Sequence, residues 1–335
     1  MILSPIAGLH SSSDIHFCKT ETKIKQLSIV MKGGCGMFEQ IKAKLKGINA
    51  INVTPFDDRL GIDWPSLEAN VNFLLDRGIQ AVYPCGNTGE FYALTVEEAK
   101  QVTTFVTGVA AKRSLVIAGV GYDAQTACDL ARHAESCGAD GIMVHQPIHP
   151  YLLPDGLISY YRQIAEATSL PVLLYIRSEQ VTLEVIRETA KLPNVVGVKY
   201  AVNHLPSFSR AVQSVEDDLV WICGTAELWA PYFFAAGAEG FTSGMVNVET
   251  QRPFELLRAL QAGDYPRAMA IWGEVVPFEE LRAKYNNGNN VSVVKEAMFQ
   301  LGLIATNAVR PPIALLTEEE RELVGRILRS WGAQS

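Results

Sequence analysis

Eight short apolar runs, alternating with amphipathic stretches, constrain the fold of this chain more than any other feature. The runs cover residues 48–53, 79–83, 115–118, 141–144, 171–175, 195–199, 219–223 and 240–243. They are apolar throughout rather than alternating, the pattern of strands covered on both faces, as in a parallel sheet. After the first run, Leu67, Val71, Leu74 and Leu75 make one apolar stripe that Gly78 ends. Thr95 and Glu98 have the spacing of a reciprocal helix cap, with Leu94 placed as a hydrophobic staple. Eight strands alternating with helices predict an α/β fold closed as a (β/α)8 TIM barrel, because closure leaves no sheet edge to protect. An open doubly wound sheet is the structural alternative, but no Gly-x-Gly-x-x-Gly turn follows an early run.

The barrel pattern spans residues 45–250. Residues 1–44 carry the polar run Ser11-Ser12-Ser13-Asp14 and the Gly33-Gly34-Cys35-Gly36 stretch with no sustained apolar period, and read as a poorly structured extension. Residues 251–330 read as a C-terminal helical extension packed on the barrel, with helices at 253–261, 265–276, about 291–301 and after Thr317. Tyr285-Asn286-Asn287-Gly288-Asn289-Asn290 is a turn-rich break inside it, and Thr317 with Glu320 repeats the capping box.

Apolar residues make up 48% of the chain, enough for a large core. The net charge of −7 argues against nucleic acid and anionic membrane as partners. No apolar run reaches the length of about 18 residues that spans a bilayer. Six cysteines without close spacing point to a reducing, cytoplasmic setting. No metal is expected: the six histidines form no HExxH pattern, and His145 with His149, the single pair worth weighing as ligands, reads rather as loop residues facing solvent or substrate.

Barrel enzymes carry their chemistry at the carboxyl ends of the strands. Lys199 ends the sixth run there, where burial favours the uncharged amine that can attack a ketone; the competing reading is a lysine whose head reaches solvent. Tyr175 ends the fifth run and can pass a proton to a leaving hydroxyl, with Thr88 as the relay; alone, it reads as an aromatic at the core edge. Thr88 lies in Gly86-Asn87-Thr88-Gly89-Glu90, where Asn87 and Gly89 are candidates for binding a substrate carboxylate, while Glu90 reads as structural. Arg177 either clamps a distal carboxylate or pairs with Glu179. Thr242 and Ser243 either read substrate hydroxyls or cap the next turn, and alternation lets at most one face the barrel interior. Asn247 is placed to assist them, and Gly224 with Thr225 to line the carboxylate site.

Thr54-Pro55-Phe56, Gly86-Asn87-Thr88-Gly89-Glu90, Leu174-Tyr175, Val196-Gly197-Val198-Lys199 and Ala236-Gly237-Ala238-Glu239-Gly240 together resemble the dihydrodipicolinate synthase/N-acetylneuraminate lyase family of class I aldolases. The resemblance spans about residues 45–328. It implies a Schiff base at Lys199 with pyruvate or a related 2-oxo acid, proton transfer through Tyr175 and Thr88, no cofactor, and a homotetramer or homodimer. Asn87, Gln180 and a shifted Tyr151 depart from the synthase pattern. Arg177, Thr242-Ser243 and Val309-Arg310-Pro311-Pro312 are similar to 5-dehydro-4-deoxyglucarate dehydratases, whereas Ser178-Glu179 and Tyr200 are not. Three readings follow: a synthase-like aldol condensation or cleavage, that dehydration, and a non-catalytic barrel that binds an oxo acid.

Overall fold

The computed structural model describes residues 36, 38–216 and 218–332. The chain divides into two units, Met1–Ile41 and Lys42–Ser335. The expected extension over residues 1–44 falls mostly outside the described residues; of it, residues 38–44 are helical.

In the second unit, the described residues hold eight strands: β1 (Ile48–Ala50), β2 (Ala81–Val82), β3 (Leu115–Val120), β4 (Gly141–Val144), β5 (Val172–Ile176), β6 (Val195–Tyr200), β7 (Val220–Cys223) and β8 (Gly240–Ser243). Each pairs in parallel with the next, and β8 returns to β1, so the sheet closes in sequence order. Helices α1 (Trp64–Asp76), α2 (Val96–Ala110), α3 (Ala124–Ser136), α4 (Pro154–Glu166), α5 (Leu183–Ala190), α6 (Leu205–Ser214) and α7 (Ala226–Ala235) fill the crossovers. The expected barrel is the fold. Strands β5 and β6 run one residue beyond their apolar runs, because Ile176 and Tyr200 still pair.

The caps explain where the helices begin. The Asp63 side chain accepts the Ser66 amide at the start of α1, where Pro65 costs no hydrogen bond. At α2 both halves of the Thr95–Glu98 capping box are present. Between barrel and helices lies one apolar cluster that includes Val71, Leu74, Val102, Leu130, Ile164, Leu174, Val198 and Phe208. Each such side chain contributes roughly 1.5–3 kcal/mol on burial. Leu174 and Val198 thus face the helices, which turns their neighbours Tyr175 and Lys199 towards the barrel axis.

Past the barrel come α8 (Gln251–Gln261), α9 (Tyr265–Asn287), α10 (Asn290–Gln300) and α11 (Glu318–Ser330). The expected helix 265–276 is too short: α9 continues through Pro277, and its backbone leaves the helical region only at Lys284, Tyr285 and Asn286. That departure coincides with the turn-rich break. A second apolar cluster joins Val275, Phe278, Val293, Met298 and Ile327 of these helices to Val53 and Met245 of the barrel.

Candidate active site

Lys199 and Tyr175 are direct register partners across β5 and β6, which places their side chains next to each other at the strands' carboxyl ends. The Lys199 Nζ lies 3.9 Å from the centroid of the Tyr175 ring. Lys199 is only 2% exposed. Burial, with the Arg177 guanidinium adding to it, lowers the amine to about 7. Burial raises the Tyr175 phenol to about 12, so it stays protonated at neutral pH.

These two groups face a cavity of about 760 Å³ that is also lined by Asn87, Thr88, Arg177, Gly224 and Thr242. Thr88 is in the cavity, but Asn87 is the residue that meets the phenol: its Nδ2 donates to the Tyr175 hydroxyl at 3.1 Å. The Thr88 relay expected from the sequence remains a proposal beside that contact, since Thr88 shares the cavity. A carboxamide holds a phenol but does not pass protons as a hydroxyl does, so the Tyr175 O–H keeps its own hydrogen free for a ligand.

Gly89 lies outside the cavity lining, and its carbonyl accepts the Thr54 hydroxyl at 2.8 Å. Ser243 turns away as well: its hydroxyl donates to buried Glu227 and accepts the Val246 amide at 3.1 Å. Strand alternation decides that pair, with Thr242 facing in and Ser243 facing α7. Asn247 is structural, since its Nδ2 donates to the carbonyls of Ile51 and Gly244 at 2.9 and 2.7 Å. Arg177 is exposed at the mouth, 5.8 Å above the Tyr92 ring, and no ion pair joins it to Glu179 among the described residues.

Glu90 holds the loop in place. It pairs with buried Lys295 and accepts the Arg310 amide at 3.0 Å, linking the barrel mouth to the C-terminal extension. Arg310 also makes a bidentate contact with Glu98 at 2.7 and 2.8 Å.

His145, weighed in the sequence with His149 as a metal ligand or as a loop residue facing solvent or substrate, has another part. It is fully buried and burial lowers it to about 3, so the ring is neutral. Its Nε2–H donates to the Cys85 carbonyl at 2.9 Å, and the ring stacks on Phe91 at 4.3 Å and meets the Tyr175 ring edge-on. Cys85 has a φ of 61°, an unusual conformation for a residue with a side chain. Gly119 makes the contact possible, because a Cβ there would sit 2.0 Å from the Cys85 oxygen. His145 thereby fixes the turn that presents Asn87 and Thr88. His149 is exposed and bonded to Tyr151, and among the described residues no three metal-ligating side chains cluster. His145→Phe keeps the stacking and removes the donor. Turnover should fall on the order of 10- to 100-fold as the loop shifts, with stability lowered by about 1–3 kcal/mol for the abandoned carbonyl. Steady-state kinetics and thermal melts that both match wild type would contradict this.

The model of the dihydrodipicolinate synthetase family matches residues 44–331. The chain belongs to that family. A 4-hydroxy-tetrahydrodipicolinate synthase of Methanosarcina barkeri is 32% identical over 288 residues, covering 84% of this chain and 96% of that protein. A probable 5-dehydro-4-deoxyglucarate dehydratase of Rhodococcus opacus is 33% identical over 288 residues, 84% of this chain and 94% of its own. The crystal structure of dihydrodipicolinate synthase from Oceanobacillus iheyensis superposes with a TM-score of 0.86 at 46% identity, covering 89% of this chain and all of that one. As a dihydrodipicolinate synthetase family member the chain is a lyase-type enzyme, and its chemistry is Schiff-base formation with a 2-oxo acid. No helix among the described residues is long and apolar enough to cross a membrane.

Proposed function

We propose that Lys199 is the Schiff-base nucleophile and that pyruvate, or a 2-oxo acid built on it, is the substrate, in an aldol condensation or cleavage of the dihydrodipicolinate synthase type. The observation that carries this reading is the buried amine lowered to about 7 and lying 3.9 Å from the Tyr175 ring centroid, in a cavity open to a ligand. The amine adds to the ketone carbon. Tyr175 gives its proton to the carbinolamine oxygen, which leaves as water, and the phenolate then takes a proton from C3 to give the enamine. Thr88, Asn87 and Gly224 hold the acid end, while Arg177 faces the distal part of the substrate.

The Arg177 guanidinium at the mouth supports a second reading, dehydration of a sugar-derived diacid, since it can take a second carboxylate. Relatives bearing both names match the chain to a similar degree. Exposed Ile148, Tyr151 and Leu153 after β4 support assembly into a homodimer or homotetramer. Free Cys85, Cys128, Cys137 and Cys223 support a cytoplasmic location. Because Glu90 is anchored by Lys295 and Arg310, we read residues 251–330 as part of the catalytic unit.

Borohydride with pyruvate should add a stable mass to the peptide holding Lys199, and its absence at saturating pyruvate would overturn the reading. The pH dependence has a definite sign. Lys199 titrates near 7, so kcat/KM should fall about tenfold per pH unit below that value as the amine gains its proton. His145, near 3, and Tyr175, near 12, add no limb between pH 5 and 9. A profile flat down to pH 5 would count against an uncharged Lys199.

A further inference from the structure

The cavity that holds Lys199 has a wall that the barrel does not supply. Glu279 and Arg282, one turn apart on α9, line it while being only 3% and 5% exposed. Arg282 Nη1 donates to Glu279 Oε1 and Nη2 to Asn290 Oδ1, both at 2.6 Å, and Nε reaches the Asn290 carbonyl at 3.4 Å. A guanidinium has five N–H groups, so each terminal nitrogen keeps one to spare. Glu279 Oε2 takes no hydrogen bond among the described residues. The pair is therefore a fixed donor beside a fixed acceptor.

Gly244 lets this wall reach the cavity floor. A Cβ at that position would lie 2.4 Å from Arg282 Nη2 and 3.2 Å from the Thr88 hydroxyl. The wall thus adjoins the loop that holds the reacting end of a substrate. Its net charge is zero, and Glu227 behind it does not change that. Burial, with Glu279 adding to it, raises the Glu227 carboxyl above the usual carboxylate range, so the acid behind the wall resists ionising. A neutral donor–acceptor pair suits a hydroxyl, which both gives and accepts a hydrogen bond, whereas the Glu279 carboxylate would repel an anion. The cavity, at about 760 Å³, lies in the range that holds ligands much larger than a three-carbon acid. Side chains of the same character continue from this wall towards the mouth, with Asn286, Asn287 and Asn290 among the lining residues.

We propose that Glu279 and Arg282 form a hydroxyl-binding subsite for the part of the substrate beyond the reacting carbons, so that the C-terminal extension selects a polyhydroxylated 2-oxo acid. This rests on the Schiff-base reading above.

Borohydride trapping at Lys199 tests the two separately. Half-saturating concentrations are measured for pyruvate, for 2-oxohexanoate, and for 2-oxo-3-deoxygluconate, the six-carbon acid with hydroxyls. Wild type should favour the hydroxylated acid over 2-oxohexanoate by roughly tenfold or more, as expected for hydrogen bonds to charged groups. Glu279→Leu with Arg282→Met removes both charges together, which avoids stranding one in the interior. In that double variant the preference should collapse towards one. Equal trapping of the two six-carbon acids by wild type overturns the subsite even if the double variant does not fold. A preference that survives in a folded double variant overturns it too. Failure of wild type to trap pyruvate at all would instead remove the Schiff-base reading.

Discussion

Lys199→Ala should lower turnover by on the order of 10⁴- to 10⁶-fold, the scale reached when a covalent nucleophile is removed. The side chain is buried in the cavity wall at the end of β6, with its head against Tyr175, and among the described residues no other amine lines the cavity. Water or a neighbouring hydroxyl does not replace it, because only a neutral amine turns the ketone into an iminium that accepts electrons from the adjacent bond. The same variant should give no borohydride adduct with pyruvate by intact mass. Turnover within tenfold of wild type would show that the cavity works without an imine. Loss of an interior amine held near 7 should also leave the fold no less stable at neutral pH, so a large fall in melting temperature would indicate a structural part that the geometry does not show.

Tyr175→Phe should reduce kcat by about 10²- to 10⁴-fold while the adduct at Lys199 still builds up on long incubation. Phenylalanine preserves the ring beneath the lysine head and the edge contact with His145, and takes away only the hydroxyl that accepts from Asn87. The amine remains able to add to the ketone. What is lost is the proton that lets the carbinolamine oxygen leave, and the base that later collects one from C3. Rapid-quench measurements separate the two stages. An unchanged kcat would assign the proton transfers to another group in the cavity.

The fold was readable because a closed parallel barrel writes its strands as apolar runs of uniform kind, and each of the eight ended up on a strand. The placement of Lys199 and Tyr175 in the cavity was readable for the same reason, since a lysine or tyrosine closing such a run has a single place to go. Orientation within a short segment was harder. In Asn87-Thr88, both residues enter the cavity, and which of them touches Tyr175 depends on the left-handed turn at Cys85, itself set by His145 some 60 residues away. Thr242-Ser243 illustrates the opposite case, where the two-residue period of a strand admitted one hydroxyl and excluded the other. Glu279 and Arg282 left no mark at all. Charged residues one turn apart on a helix look the same in sequence whether they face solvent or line a cavity, and only the packing of α9 against the barrel distinguishes them.

The tie between Glu90 and Arg310 has a bearing on how the enzyme comes into being. These partners are 220 positions apart. At a translation pace of about 5–20 residues per second, roughly 10 to 45 s pass between them. During that interval the staves of the barrel emerge and can begin to associate, yet the turn with Asn87 and Thr88 lacks the clasp that will fix it. A nascent polypeptide should therefore gain activity only after Arg310 has left the ribosome. Premature termination would yield a barrel with an unfinished mouth rather than a weakened enzyme.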